Sequence, residues 1–444
     1  MARQMKDSGV EWIGEIPEGW SCGQLGKYVT VFNGDRSSNY PTPEELRSEG
    51  IPFFTSFDLN EDEILMHPEG KYLDRDKYER LGGYKCQIGD IVFCLRGSVG
   101  KCSINMRYSE GTVASSLMGI RCHSMDNKFV FYTLVSDVVG IQNDLLMNGT
   151  CAANLSAKNV CKYKVAVPPL FEQHRIAAFL DRRCAGIDAV IERTRATIEE
   201  YKKLKQAVIT EAVTKGVRGP RPMKDSGIEW IGEIPEGWDI VKLKYFLSDD
   251  KVNLRVGPFG SALAGSDFVE EGKWVYNQRV VLDDNFISND TFVSASKYAE
   301  LAGFEVIPDD VLITTRGSIG KVAIVPQDAP RGILHPCIIK FRVNQDMIPH
   351  SILKHVFNDT DFVLRQIKEM SNSTTIDVLY SYSLRNVLLP LIPMCEQPEI
   401  AAYLDEKCAA LDTLIAKKTD LLTELETYKK SLIYEYVTGK KEVQ

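Results

Sequence analysis

The chain says the same thing twice. Residues 5–20 read MKDSGVEWIGEIPEGW and residues 223–238 read MKDSGIEWIGEIPEGW, with Val10 against Ile228 the single difference. Further along, GDIVFCLRGSVGKCSI (89–104) returns as DDVLITTRGSIGKVAI (309–324). PPLFEQHRIAAFLDRRCAGIDAVI (168–191) returns as IPMCEQPEIAAYLDEKCAALDTLI (392–415). Order is preserved while the offset drifts only from 218 (223 − 5) to 224 (392 − 168). One unit of about 220 residues therefore stands twice in tandem, and whatever the first copy folds into, the second must fold into as well.

Each copy has the same internal plan. A leader with two tryptophans opens it (Trp12 and Trp20; Trp230 and Trp238) and is expected to pin the chain onto its own domain. Short apolar runs follow, such as Ile91-Val-Phe-Cys-Leu95 and Val311-Leu-Ile-Thr-Thr315, bounded by Gly, Pro, Asn and Asp, which reads as strands of a mixed α/β domain. Each copy closes on roughly 40 residues with helical periodicity. Steps of three and four select Leu180, Ile187, Ile191 and Ile198 in the first copy, and Leu404, Leu411, Ile415 and Leu422 in the second. The seam is interrupted at matching places, Thr194/Lys418 and Lys205/Lys429, and Gly216 and Gly439 stop the helices. A seven-residue repeat over five heptads makes a coiled-coil seam, and one such helix alone would expose its apolar stripe. The two copies are thus expected to pack antiparallel as a rod of ~60 Å, with a pseudo-two-fold axis. The expected segments are an α/β domain at 1–168, a long helix at 169–218, a second α/β domain at 219–393 and a second long helix at 394–444.

Composition narrows the function. No run approaches the ~18 apolar residues of a membrane span, and the polar start does not read as a signal peptide. The eleven cysteines form no CxxC pair or Cys/His ligand spacing, which points to free thiols in a reducing cytoplasm. The turns Gly97-Ser-Val-Gly-Lys101 and Gly317-Ser-Ile-Gly-Lys321 fail as phosphate loops. Leu95 and Thr315 stand where the first glycine belongs, and Cys102 and Val322 replace the Ser/Thr after the lysine. No HExxH, GxSxG or dinucleotide fingerprint occurs, so the chain reads as non-catalytic, with no cofactor or metal of its own.

Binding is what the same turns could do. Arg96, Ser98 and Lys101, like Arg316, Ser318 and Lys321, could form an anion nest with flanking positive charge that positions the protein on DNA phosphates. The other reading is a tight turn whose arginine pairs an internal carboxylate. In the second copy Val256-Gly-Pro-Phe-Gly-Ser-Ala-Leu263, with Phe259 and Ser261, is either a groove-facing loop or a β-bulge. Asn33, Arg36, Asn277, Gln278 and Arg279 are chemically suited to base edges. Against this stands a net charge of −8, from 53 Lys+Arg and 61 Asp+Glu. A DNA reader with that balance must borrow positive charge from partners.

The leader, the GPFGSAL loop, the RGSIGK turn and the PPLFEQHRIAAFLD helix start together resemble the specificity subunit of type I restriction–modification systems. The likeness spans nearly the whole chain, twice over. Departures are Val31-Phe-Asn-Gly-Asp35 in place of GPFGS, and Ile392-Pro-Met-Cys-Glu-Gln397 in place of the Pro-Pro run. The resemblance implies two target recognition domains held apart by antiparallel helices, each reading one half of a bipartite site in double-stranded DNA. It implies two methyltransferase subunits docked on this scaffold, and endonuclease/translocase subunits joining for cleavage. S-adenosylmethionine, ATP and magnesium would then reside in those partners. The alternative is a stand-alone DNA-binding or protein-interaction scaffold.

Overall fold

The computed structural model describes residues 3–146, 155–370 and 378–443. The chain forms two compact units, one of residues 1–195 with 420–444, the other of residues 196–419.

In the first unit the run Ile91–Cys94 is buried at every position. It lies inside a four-stranded antiparallel sheet, in the order Val29–Asn33, Leu117–Cys122, Ile91–Cys94, Cys102–Ile104. Its side chains alternate between two separate cores. Ile91, Phe93 and Leu95 pack with the helix Asn127–Val135 and the start of the long helix, while Val92 and Cys94 pack under Phe54 and Tyr84. Burial on both faces explains why the strand reads as a continuous apolar run without alternation. A second small sheet pairs Ile51–Phe54 antiparallel with Tyr72–Leu73 and parallel with Thr112–Val113.

The second unit repeats the plan. Its antiparallel sheet runs Leu254–Val256, Ile338–Phe341, Val311–Thr314, Val322–Ile324. Val311 and Ile313 face one core and Leu312 faces another. Its second sheet has five strands and keeps the parallel pairing, here of Lys273–Tyr276 with Gly332–Leu334. The buried aspartate that opens the central strand also recurs. Asp90 accepts both guanidinium bonds of Arg121, and Asp310 accepts from Lys340 and Arg342. A buried carboxylate of this kind is tolerable only because cations satisfy it.

The long helices are Leu170–Lys215 and Gln397–Val437, 46 and 41 residues, or roughly 69 and 62 Å at 1.5 Å per residue. Within the first unit, the ring of Phe179 lies 4.5 Å from that of Tyr436, and Lys429 binds Asp188. Numbers fall along one helix as they rise along the other, so the pairing is antiparallel. Within the second unit Lys205 binds Asp412, and Ile209, Ala212 and Val213 share a core with Ile400, Leu404 and Cys408. Leu180, Ile191, Ile198, Leu404 and Leu411 are buried on the seam, and Ile187, Ile415 and Leu422 are half-buried. Of the apparent defects in the seam, Lys205 and Lys429 form ion pairs, while Thr194 donates its hydroxyl to the carbonyl of Val190. Lys205 and Lys429 are equivalent residues 224 apart (429 − 205), and so are their partners Asp188 and Asp412.

The leaders form short hairpins, Met5–Asp7 with Glu15–Pro17 and Met223–Asp225 with Glu233–Pro235. Each ends on a fully buried tryptophan, as pinning requires. Trp20 Nε1 donates to Glu172, which also takes Arg3; Trp238 Nε1 donates to Glu396, which also takes Arg221. The next residue of the Glu-Gln pair, Gln173 or Gln397, donates to the carbonyl of Pro168 or Ile392. This latch accounts physically for the Glu-Gln motif at each helix start.

Candidate nucleic-acid interface

Three loops meet at one end of the main sheet in each unit, and hydrogen-bond register makes them equivalent. The first leaves the edge strand at Gly34 or Gly257. Gly34 N donates to Leu117 O and Gly257 N to Ile338 O, at matching points of the neighbouring strand. A Cβ on Gly34 would stand 2.6 Å from the carbonyl oxygen of Ala114, and one on Gly257 2.1 Å from that of His335. No other residue fits there. Three residues past the last residue of the edge strand, this loop presents Arg36 in one unit, with its guanidinium on Ser115 O, and Phe259 in the other. Asn33 and Ser261 are exposed beside them, and Asn33 O also accepts from Tyr84 N.

The second loop follows the parallel strand. In the first unit buried Asp58 accepts from Thr55 N and Oγ1 and from His67 N, which leaves Phe57 turned to solvent. In the second unit Asn277 caps the short helix Gln278–Leu282 through Val280 N and donates to Thr291. Its amide is committed to the fold, so the exposed side chain of that loop is Arg279, which pairs with Asp290 at 3.2 Å.

The third is the Arg-Gly-Ser-x-Gly-Lys turn. Gly97, Gly100, Gly317 and Gly320 all take positive φ. The nest expected from the sequence is only partly there. Val99, Gly100 and Lys101 amides donate to Gly97, Cys94 and Ser98 carbonyls, and Ile319 and Gly320 do likewise to Gly317 and Thr314. Those amides face inward because the turn closes its own strand pair. Outward display is left to the side chains, and Arg96, Ser98, Lys101, Arg316, Ser318 and Lys321 are all exposed. Lys101 Nζ reaches Ser56 O and Lys321 Nζ reaches Asn358 O. The turn sits between the other two loops: Leu95 N donates to Ser116 O on the first loop's side, while Lys101 holds Ser56 of the second. In the second unit Thr315 N donates to Cys337 O, and a Cβ on Gly317 would lie 3.5 Å from Gln278 Nε2.

The structure thus gathers Asn33, Arg36 and the 96–101 turn at one end of the first unit, and Phe259, Ser261, Gln278, Arg279 and the 316–321 turn at the corresponding end of the second. Sequence reading passed over Phe57. Its signal was weak, a single aromatic between Ser and Asp whose position depends on a non-local strand pairing. Among the described residues no group of three or more His, Cys, Asp or Glu is placed to hold a metal ion, and no helix is long and apolar enough to cross a membrane.

A sheet domain present twice, each copy with the same three-loop frame under different side chains, together with two long paired helices, defines a two-domain scaffold. The chain belongs to the type I restriction modification DNA specificity domain family, which matches residues 17–200 and 261–426. It is 24% identical over 96% of its length to the type I restriction enzyme MjaVIII specificity subunit of Methanocaldococcus jannaschii, covering 93% of that protein. A second chain of that organism, carrying the MjaX specificity-subunit name, is 26% identical over 96% of this chain and 95% of its own length. A solved chain from a type I R-M system, described under complex assembly and conformational transition, matches with a TM-score of 0.70 at 18% identity. It covers 96% of this chain and 99% of its own length, a likeness of fold.

Proposed function

We propose that each unit reads one half of a bipartite site in double-stranded DNA through its three-loop cluster, and that the paired helices set the unread spacer. The observation that carries this reading is the repeated cluster itself. Strand register, loop glycines and the Arg-Gly-Ser-x-Gly-Lys turn coincide in both units, while the side chains displayed around them differ. A common frame with different tips suits two readers of different half-sites. The segments 1–168 and 219–393 then serve as target recognition domains, and 169–218 and 394–444 as spacer helices.

Two methyltransferase subunits dock on the scaffold in this reading. Supporting it, exposed apolar residues recur on the helices at an offset of 224: Val190 and Leu414 (414 − 190), Leu204 and Tyr428 (428 − 204). Single exposed apolar side chains are ordinary, but apolar side chains exposed at the same positions in both copies suit two copies of one partner. The partners supply S-adenosylmethionine chemistry and most of the phosphate contacts, which an acidic chain with a few exposed lysines cannot provide alone. Endonuclease subunits add ATP- and magnesium-dependent cleavage.

The test removes one four-residue helical step between Ile191 and Val208, with the matching step of the second helix, and sequences the methylome of a host carrying the chain and its partners. The spacer should change and both half-sites persist. Altered half-sites would refute the ruler.

A further inference from the structure

The two loops that flank the turn carry the same two chemistries in exchanged positions. On the first loop, one unit has Arg36 and the other Phe259, each two residues past the glycine that leaves the edge strand (36 − 34; 259 − 257). On the second loop, one unit has Phe57 and the other Arg279, each three residues past the end of the parallel strand, Phe54 or Tyr276 (57 − 54; 279 − 276). The equivalence comes from strand register, since Phe54 pairs Val113 as Tyr276 pairs Leu334. Both phenylalanines are almost free of protein contact, at 80% and 79% exposure. A lone exposed Phe means little. Here each occupies a loop position that the other copy fills with an exposed arginine, so neither position belongs to a core.

We infer that these four side chains are specificity determinants, with each arginine reading a guanine and each phenylalanine a thymine methyl, in opposite order in the two half-sites. The inference rests on the half-site reading proposed above. Arginine bonds bidentately to guanine O6 and N7 in the major groove, and an apolar ring packs on the thymine C5 methyl. Because the turn stands between the two loops in each unit, exchanging the tips exchanges which side of the turn each base type meets. Arg279 must leave Asp290 to reach a base, and an exposed pair yields at little cost. The carboxylates beside it also oppose phosphate, which favours a base contact over a backbone one.

The test uses the full chain with its methyltransferase subunits. A randomised-site methylation assay compares wild type with Arg36→Ala, Phe57→Ala, Phe259→Ala and Arg279→Ala. Each variant should relax one base pair of one half-site, by roughly 5–150-fold for the arginines, and leave the other half-site as read, which also certifies folding. Counted from the spacer, the guanine and thymine positions should fall in opposite order in the two halves. The inference is overturned if either phenylalanine variant keeps the wild-type site, if the order is the same, or if the variants weaken all sequences evenly. Failure of the wild-type chain to select a bipartite site at all would instead overturn the underlying half-site reading, and this inference with it.

Discussion

Replacing Lys429 with Met tests how the helix pair is held. Its ammonium lies 2.6 and 2.8 Å from the two oxygens of Asp188 and 3.4 Å from Glu61. The side chains of Lys429 and Asp188 are only 15% and 25% exposed. Breaking a fully buried pair costs about 3–5 kcal/mol, because one charge is left uncompensated. Partial exposure and solvent screening lower this to about 2 kcal/mol. The equivalent pair of the second unit, Lys205 with Asp412, has a partner 55% exposed, so Lys205→Met should cost at most about 1 kcal/mol. At about 2–4 °C per kcal/mol for units of this size, calorimetry should show a fall of ~4–8 °C for the first variant and under ~4 °C for the second. A double variant with Asp188→Asn should recover part of the larger loss. The pH dependence has a definite sign. Burial pulls the Lys429 pKa down, but the hydrogen bond to Asp188 and the charges of Asp188, Asp62 and Glu61 outweigh it, so it lies above the ordinary 10.5. Its folded value exceeds the unfolded one, so the contribution is complete below the ordinary lysine range and fades as pH rises through the folded value. The gap between wild type and variant should close in strong alkali. Equal or greater loss from Lys205→Met would refute the reasoning.

Glu396→Gln should destabilise more than Glu172→Gln, by about 1 kcal/mol, because the Glu396 carboxylate is the more deeply buried; urea titration decides. Gly257→Ala puts a methyl against the His335 carbonyl and should cost about 1–3 kcal/mol, with recognition lost in one half-site only, read by the methylation assay. Lys101→Ala or Lys321→Ala should weaken DNA binding evenly across sequences and lower the salt slope by about one, measured by titration in graded salt. Burial pushes the thiols of Cys86, Cys102, Cys122 and Cys184 up to about 12, whereas Cys395 is exposed. Mass spectrometry after brief iodoacetamide treatment at neutral pH should find Cys395 labelled and those four untouched.

Much of the architecture was legible because it is written twice. The helices followed from spacing alone, and their stops from Gly216 and Gly439, which both take positive φ. What looked like flaws in the seam, Lys205 and Lys429, became intelligible only with Asp412 and Asp188 opposite, since helix periodicity does not say what faces a residue across an interface. The loop cluster was half legible. Arg36, Phe259 and Arg279 stood out by chemistry, but nothing local aligned Phe57 with Arg279, because that match runs through a parallel pairing between strands some 60 residues apart (112 − 53). The two readings of the glycine turn stayed open for a related reason: a glycine pattern fixes the shape of a turn and leaves open which carbonyls consume its amides.

The glycines at 34 and 257 have a consequence for how such a chain can change. The carbonyl oxygen beside each leaves no room for a Cβ, so the loop leaves the sheet through a glycine in both units whatever side chains it carries further on. Arg36 and Phe259, two residues beyond, make almost no demands on the packing beneath them. New tips can therefore be tried without retuning the fold, and in the half-site reading proposed above, preference for a target can drift while stability stays where it was.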